Sequence, residues 1–108
     1  MAIDLHSIRN IGISAHIDCE PCFEDTIVTV SLGSAYDMDF ICVKTKEVHS
    51  KTLELGSALV LNGPARYDWM HRISARKSDP GKGGQPKRHR GRRVSLTYRN
   101  VILEDTGS

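Results

Sequence analysis

Along much of this chain apolar and polar residues alternate with a period of two, the pattern of strands that turn one face inward. In TIVTVSL, residues 26 to 32, Val28, Val30 and Leu32 share a face and β-branched residues dominate. Gly33-Ser34 breaks that run, and Tyr36 to Val43 resumes as a second strand before Lys44 to Ser50, which reads as a polar hairpin connection. Short strands follow at Thr52 to Leu55 and Ala58 to Leu61, parted by the Gly56-Ser57 turn. After the Asn62-Gly63-Pro64 turn, Arg66 to Ile73 extends again, with Tyr67, Trp69, His71 and Ile73 on one face. Arg92 to Leu103 is the last strand. No segment carries a convincing helical period and no repeat appears. Short strands at a spacing of roughly 8–12 residues predict an all-β sandwich or barrel.

Composition adds bounds. The 108 residues suit one domain with a modest core, and 39% hydrophobic with 26% charged residues is ordinary for a globular chain. No apolar run approaches the ~20 residues of a membrane span, and residues 1 to 15 lack a signal-peptide core, so no membrane partner is expected. Three cysteines, an odd number, argue against a disulfide framework and predict a reduced, intracellular protein, cytoplasmic and/or nuclear.

The net charge of +2 conceals an asymmetry: residues 72 to 93 hold nine Lys/Arg against one acid, Asp79, and the remainder six against twelve. Residues 78 to 91, SDPGKGGQPKRHRG, have no apolar side chain large enough to anchor a core and read as an exposed basic loop. Its Lys82, Lys87, Arg88 and Arg90 could meet the phosphates of a nucleic acid.

Candidate chemistry begins at Ile8 to Asp18, IRNIGISAHID, which opens like a translation GTPase. That reading fails, because Cys19-Glu20-Pro21-Cys22 follows where glycines and a Lys-Ser or Lys-Thr pair must hold phosphate. On a strand, however, His16 and Asp18 would project to the same side, two corners of a 2-His-1-carboxylate iron site. Alone the pair is also an ordinary surface pairing. His71, on a strand with Tyr67 and Trp69, is the best third ligand, or else a core histidine bonded to backbone. His6, His49 and His89 look solvent-facing.

In RRVSLTYRNV, Arg93, Ser95, Thr97 and Arg99 share one face, which suits either a small dianion or plain exposed amphipathic alternation. His16-x-x-Cys19-x-x-Cys22 lacks a second pair for a zinc site apart from the isolated Cys42, and no βαβ context supports a thioredoxin motif.

Three stretches, HIDCEPCFEDTIVTVSLGSAYDMDF, LELGSALVLNGPARYDWMHRI and RRVSLTYRNV, together resemble the AlkB-type Fe(II)/2-oxoglutarate dioxygenases across roughly residues 12 to 101. Wording around Phe23 to Phe40 is similar to the branch that hydroxylates modified uridines in transfer RNA. The resemblance implies a double-stranded β-helix (jelly-roll, cupin-like) core, incomplete at its N-terminus, as one domain over residues 1–108. It implies iron held by His16, Asp18 and His71. It implies 2-oxoglutarate held by Arg93 at the distal carboxylate and Arg99 at the chelating end, beside Ser95 and Thr97. O₂ would be the cosubstrate, and the reaction would yield succinate and CO₂ while a C–H bond of an alkylated or modified nucleic-acid base is hydroxylated. On an N-methyl group that hydroxylation releases formaldehyde.

The chain departs from the family in lacking the Asn-x-Tyr strand, having only Asn10 and Gly12 before the first histidine, and in carrying Arg72 where glycine usually follows the distal histidine. An accessory segment or protein would then complete substrate recognition. The competing expectation is a catalytically inactive β-barrel fragment that binds RNA through its basic loop.

Overall fold

The alternating strands assemble into two antiparallel sheets that face one another. The computed structural model describes residues 1–81 and 83–102, so Lys82 and the expected end of the last strand at Leu103 lie outside the described residues. In chain order the elements are β1 (Ala2–Arg9), β2 (Ile13–His16), β3 (Phe23–Leu32), β4 (Tyr36–Cys42), β5 (Val48–Leu53), β6 (Ala58–Leu61), α1 (Gly63–Tyr67), β7 (Trp69–Ile73), β8 (Ser78–Asp79), β9 (Arg88–His89) and β10 (Arg92–Val101). One sheet has the order β1-β10-β3-β6 and the other β2-β7-β4-β5. Every pairing is antiparallel, and the chain crosses repeatedly between the sheets, which is the all-β double-stranded β-helix expected.

Ile8, Tyr36, Met38, Leu53 and Ile73 form the buried cluster between the sheets, with Ile13, Phe40 and Leu59 packed on it. The β10 strand enters this core at a defined height. The hydroxyl of Tyr36 donates to the carbonyl of Gly91 at 2.6 Å and accepts from the Asn10 N–H at 3.1 Å. Gly33, at φ +85°, makes the adjoining turn from β3 to β4, where a side chain would strike the Arg92 carbonyl.

Several expectations need correction. Arg66 and Tyr67 belong to α1 rather than to an extended strand; five residues with Pro64 in the first turn are too few to display a period. Residues 48–50, expected in the hairpin connection, are the start of β5. The strand β1 was not anticipated, and its register, Ala2 opposite Arg99, joins the two ends of the chain.

The face of β3 bearing Val28 and Val30 points outward, opposite Tyr98 and Leu96 of β10 and Val60 and Ala58 of β6, and Ile3 and Leu5 of β1 extend it. The inward face of β10 is the one with arginines and hydroxyls.

Residues 78–91 are not a free basic loop. Strands β8 and β9 pair, Asp79 is fully buried, and Arg90 is 5% exposed. Arg90 grips Asp79 through Nε to Oδ2 at 2.9 Å and NH2 to Oδ1 at 2.8 Å, and lies over the Tyr36 ring. Arg76 also donates to Asp79 Oδ1 at 2.8 Å, and Arg88 to Asp37 Oδ1 at 2.7 Å. Removing one partner of such a pair strands the other as an unpaired buried charge, at a cost of ~3–5 kcal/mol. Asp79→Asn is therefore expected to lower the unfolding free energy from urea titration by that amount, whereas Lys87→Gln, at an exposed position, should leave it unchanged.

The same network predicts an acid limb. Burial by itself would raise the Asp79 carboxyl, but hydrogen bonds from Arg90, the Asp37 N–H and Arg76 outweigh it and hold the group below the usual carboxylate range. Asp39 is lowered in the same way, with Ser50 and Arg72 outweighing its burial. A carboxyl depressed in the folded state stabilises fully above its unfolded pKa of ~3.9 and loses that contribution as pH falls toward the folded value. Urea stability should accordingly be flat between about pH 5 and 7 and decline below about pH 4, less steeply in Asp79→Asn.

Candidate metal centre

The ladder between β2 and β7 puts His16 directly opposite His71, so two imidazoles from distant parts of the chain share one inner face. Their ring centroids are 4.3 Å apart. Asp18 does not sit on the strand, as its spacing from His16 suggested; β2 ends at His16 and Asp18 is the second residue of the following loop. Arg66 of α1, 2% exposed, sets the position of that loop. Its NH1 donates to the Asp18 carbonyl at 2.8 Å and its NH2 to the Cys19 carbonyl at 3.1 Å.

Asp18 Oδ1 then lies 3.3 Å from His16 Nε2 and 3.8 Å from His71 Nε2. One ligand atom from each of the three residues falls within 4.8 Å of the others. The His71 ring faces His16 and Asp18.

Protonation follows from the partners. His16 Nδ1 lies 2.7 Å from the Ser14 carbonyl, which can only accept, so Nδ1 carries a proton and Nε2 faces the centre. Burial lowers the pKa of His71, and the neighbouring His16, Arg99 and Arg66 lower it further against the pull of Asp18, leaving a neutral imidazole with a free lone pair. Arg99 donates from Nε to Asp18 Oδ2 at 2.9 Å, so one carboxylate oxygen is engaged and the other is turned to the histidines. A second contact, Arg99 NH1 to Asp4 Oδ2 at 3.3 Å, and the Phe23 ring 5.2 Å below steady that guanidinium.

Beside the three residues is a cavity of about 230 Å³ whose wall includes Arg93, Ser95, Thr97 and Arg99 of β10. The alternation of β10 brings all four to the inner face, opposite Ile8 on β1 and Ser31, Thr29 and Ile27 on β3. Thr97 Oγ1 is bonded to Thr29 Oγ1 at 3.1 Å, and Ser95 is buried. Arg93 is 2% exposed, and burial lowers its pKa. Its NH2 donates to Ser31 Oγ at 3.1 Å, and its Nε has no partner among the described residues. No carboxylate there pairs with it.

A buried guanidinium with an unused donor, facing a small cavity next to two imidazoles and a carboxylate, fits a small dicarboxylate beside a ferrous ion. The donor set and the orphaned Arg93 nitrogen suit both groups.

Not every functional expectation converges here. Lys87 is exposed and does not line the cavity, and Lys82 is outside the described residues. The Arg90 side chain is fully buried against Asp79, so the expectation that it faces nucleic-acid phosphates is corrected, while Arg88, part of whose side chain is exposed, is paired with Asp37. The cysteines also depart from the reduced set expected, since Cys19 and Cys22 are joined and Cys42 alone is free. The turn at Glu20-Pro21 brings their Cα atoms to 5.2 Å, which is bonding range.

Asp4 and His6 of β1 also line the cavity and were missed. The alternation Ala2, Asp4, His6, Ile8 was the available signal, obscured because the other face, with Ile3 and Leu5, looks like the buried one.

The comparisons agree with this geometry. The sequence model of the 2OG-Fe(II) oxygenase superfamily matches residues 6–99. The chain is 39% identical over 108 aligned residues, 83% of its length, to the mouse protein "tRNA (carboxymethyluridine(34)-5-O)-methyltransferase ALKBH8", of which it spans 16%. It is 34% identical over 84% of its length to the Arabidopsis thaliana "Alkylated DNA repair protein ALKBH8 homolog", spanning 31% of that protein. In fold it resembles the solved structure of OsALKBH1, with a TM-score of 0.63 and 20% identity over 89% of this chain and 46% of that one.

Proposed function

The chain belongs to the 2OG-Fe(II) oxygenase superfamily, as an AlkB-type member, and from that premise we propose that it is a dioxygenase acting on a modified or alkylated nucleic-acid base. The observation that carries the reading is the meeting of His16, Asp18 and His71 beside the partnerless buried Arg93. In this proposal His16 Nε2, His71 Nε2 and Asp18 Oδ1 hold the iron. When bound with 2-oxoglutarate, the iron supplies O₂-dependent hydroxylation of a C–H bond, with 2-oxoglutarate leaving as succinate and CO₂.

The chain's own residues supply position and exclusion of water. Arg93 takes the distal carboxylate of 2-oxoglutarate with a two-pronged, charge-assisted fork. Arg99 holds Asp18 in the ligating orientation and presents positive charge to the chelating end. Ser95 and Thr97 offer hydroxyls along the cosubstrate. Tyr36 and Met38 seal the inner end of the sandwich.

The substrate class rests on similarity. The mouse relative's name places that protein on a uridine of transfer RNA, and the Arabidopsis relative's name places that one in alkylated DNA repair. A modified uridine in transfer RNA is the favoured substrate here, because the mouse relative has the higher identity. The alternative of an inactive RNA-binding barrel draws on Lys82, Lys87, Arg88, Arg90 and Arg92, of which Arg88 and Arg90 are committed to internal ion pairs.

Anaerobic titration with Fe(II), with and without 2-oxoglutarate, tests the reading. One saturable site and succinate release on admitting O₂ are expected. Absence of saturable Fe(II) binding by the folded chain would overturn it.

A further inference from the structure

Asp18 is the one residue of the metal centre that no strand holds; its loop runs from the end of β2 to Phe23, the first residue of β3. That loop carries the bridge between Cys19 and Cys22, and Cys19 directly follows Asp18. Neither sulfur takes part in the proposed reaction. The Cys19 carbonyl is where two constraints meet. It accepts from Arg66 NH2 at 3.1 Å, beside the Asp18 carbonyl on NH1, and also from the Cys22 N–H at 3.3 Å. Arg66 is buried and its Nε has no partner among the described residues. The two loop carbonyls, with the Tyr67 ring 4.8 Å away, are thus what this cation has in place of water.

Cys22 is fixed from the other side. Its carbonyl accepts from the Ile102 N–H at 2.9 Å, and the next residue, Phe23, pairs with Val101. The bridge therefore ties the Asp18 end of the loop to the β3–β10 ladder. Residues 19–22 are all exposed, so burial contributes little to the shape of this turn, and the sulfurs are open to attack. We propose that the Cys19–Cys22 pair is a redox site whose state sets the affinity of the iron centre. The disulfide form holds Asp18 in the ligating position, and the dithiol form releases its loop to a wider set of conformations. This deepens the proposed function and rests on it. The reagent class is a small thiol and its disulfide. A reagent thiolate attacks one sulfur of the bridge to give a mixed disulfide, and a second reagent thiolate resolves it. Two electrons and two protons pass to the protein, and two reagent thiols become one disulfide. Opening so short a ring frees limited chain entropy, and the Arg66 and Arg99 bonds to Asp18 persist. Iron affinity should therefore fall only about 3- to 20-fold on reduction.

The test uses the whole chain without oxygen, either oxidised with glutathione disulfide or reduced with a phosphine that is then removed. Alkylation mass shifts confirm the two states, Cys42 alone being free in the first and all three cysteines in the second. Calorimetric Fe(II) titration should give an affinity about 3- to 20-fold lower in the reduced chain. Amide exchange at residues 17–22 should be faster there, while β7 exchanges as before. Cys19→Ser combined with Cys22→Ser should match the reduced chain in any redox buffer, and Cys42→Ser should keep the full difference. Coupling is reciprocal, so saturating Fe(II) should shift the parent's dithiol–disulfide equilibrium in a glutathione buffer toward disulfide by the same factor. That measurement decides if the double variant does not fold. Equal Fe(II) affinity in the two states, no shift of the equilibrium by Fe(II), or a folded double variant that binds Fe(II) as the oxidised chain does, overturns the switch and leaves the dioxygenase reading standing. If Fe(II) binds neither state, the dioxygenase reading is what fails, and the switch falls with it.

Discussion

Replacing His71 with alanine should abolish succinate formation and weaken anaerobic Fe(II) binding by at least ~100-fold, the upper end of what loss of a merely supporting residue costs. The fold should survive. Asp18 keeps its Arg99 hydrogen bond, and its loop is still held through backbone carbonyls by Arg66. The substitution removes only a neutral ring that is partly buried against His16. Asp18→Ala is a harsher change, since it also releases Arg99 from its better partner at 2.9 Å. Calorimetric Fe(II) titration beside a thermal melt separates the two effects. Retention of parental metal affinity by folded His71→Ala would remove this histidine from the site.

Arg93→Met should separate stability from function in the opposite direction. In the free chain the Arg93 guanidinium is buried with one hydroxyl partner and one orphaned nitrogen. Such a charge costs folding free energy, and an apolar side chain of similar length removes that cost while losing only the bond to Ser31. Melting temperature should therefore rise or hold. Two charge-assisted hydrogen bonds at ~1.5–3 kcal/mol each are worth at least about 3 kcal/mol, so the KM for 2-oxoglutarate should rise ~100-fold or more. Fe(II) affinity without 2-oxoglutarate should not change, because Arg93 is not one of the three metal-site residues. A lowered melting temperature with an unchanged KM would make Arg93 a structural residue.

These two outcomes bear on how the fold could be read from residues. Strand alternation was legible because side-chain direction is a local property: β4, β6 and most of β3 and β10 lie close to their expected places. The facing of the strands was not. Hydrophobicity alone would bury Val28, Val30, Leu96 and Tyr98, yet that face of the first sheet points away from the cavity. Inside are Arg93, Ser95 and Thr97, tolerable because the cavity offers hydroxyl partners and room for an anion. Asp79 and Arg90 show the same difficulty: eleven residues apart in a Gly- and Lys-rich run, they looked solvated until each was found to neutralise the other.

What the amino-acid order determines unaided is local: where strands run, where Gly33 and Asn62-Gly63-Pro64 interrupt them, and which residue types could ligate a metal or grip a diacid. Pairing of His16 with His71 required the β2–β7 register. Delivery of Asp18 beyond the end of its strand required Arg66. The rim made by Asp4 and His6 required β1 to lie against a strand at the far end of the chain, opposite Thr97 and Ser95. These are contacts between segments far apart in the chain, and nothing in the local chemistry of either segment specifies the other. Folding resolves them through the combined burial of both sheets.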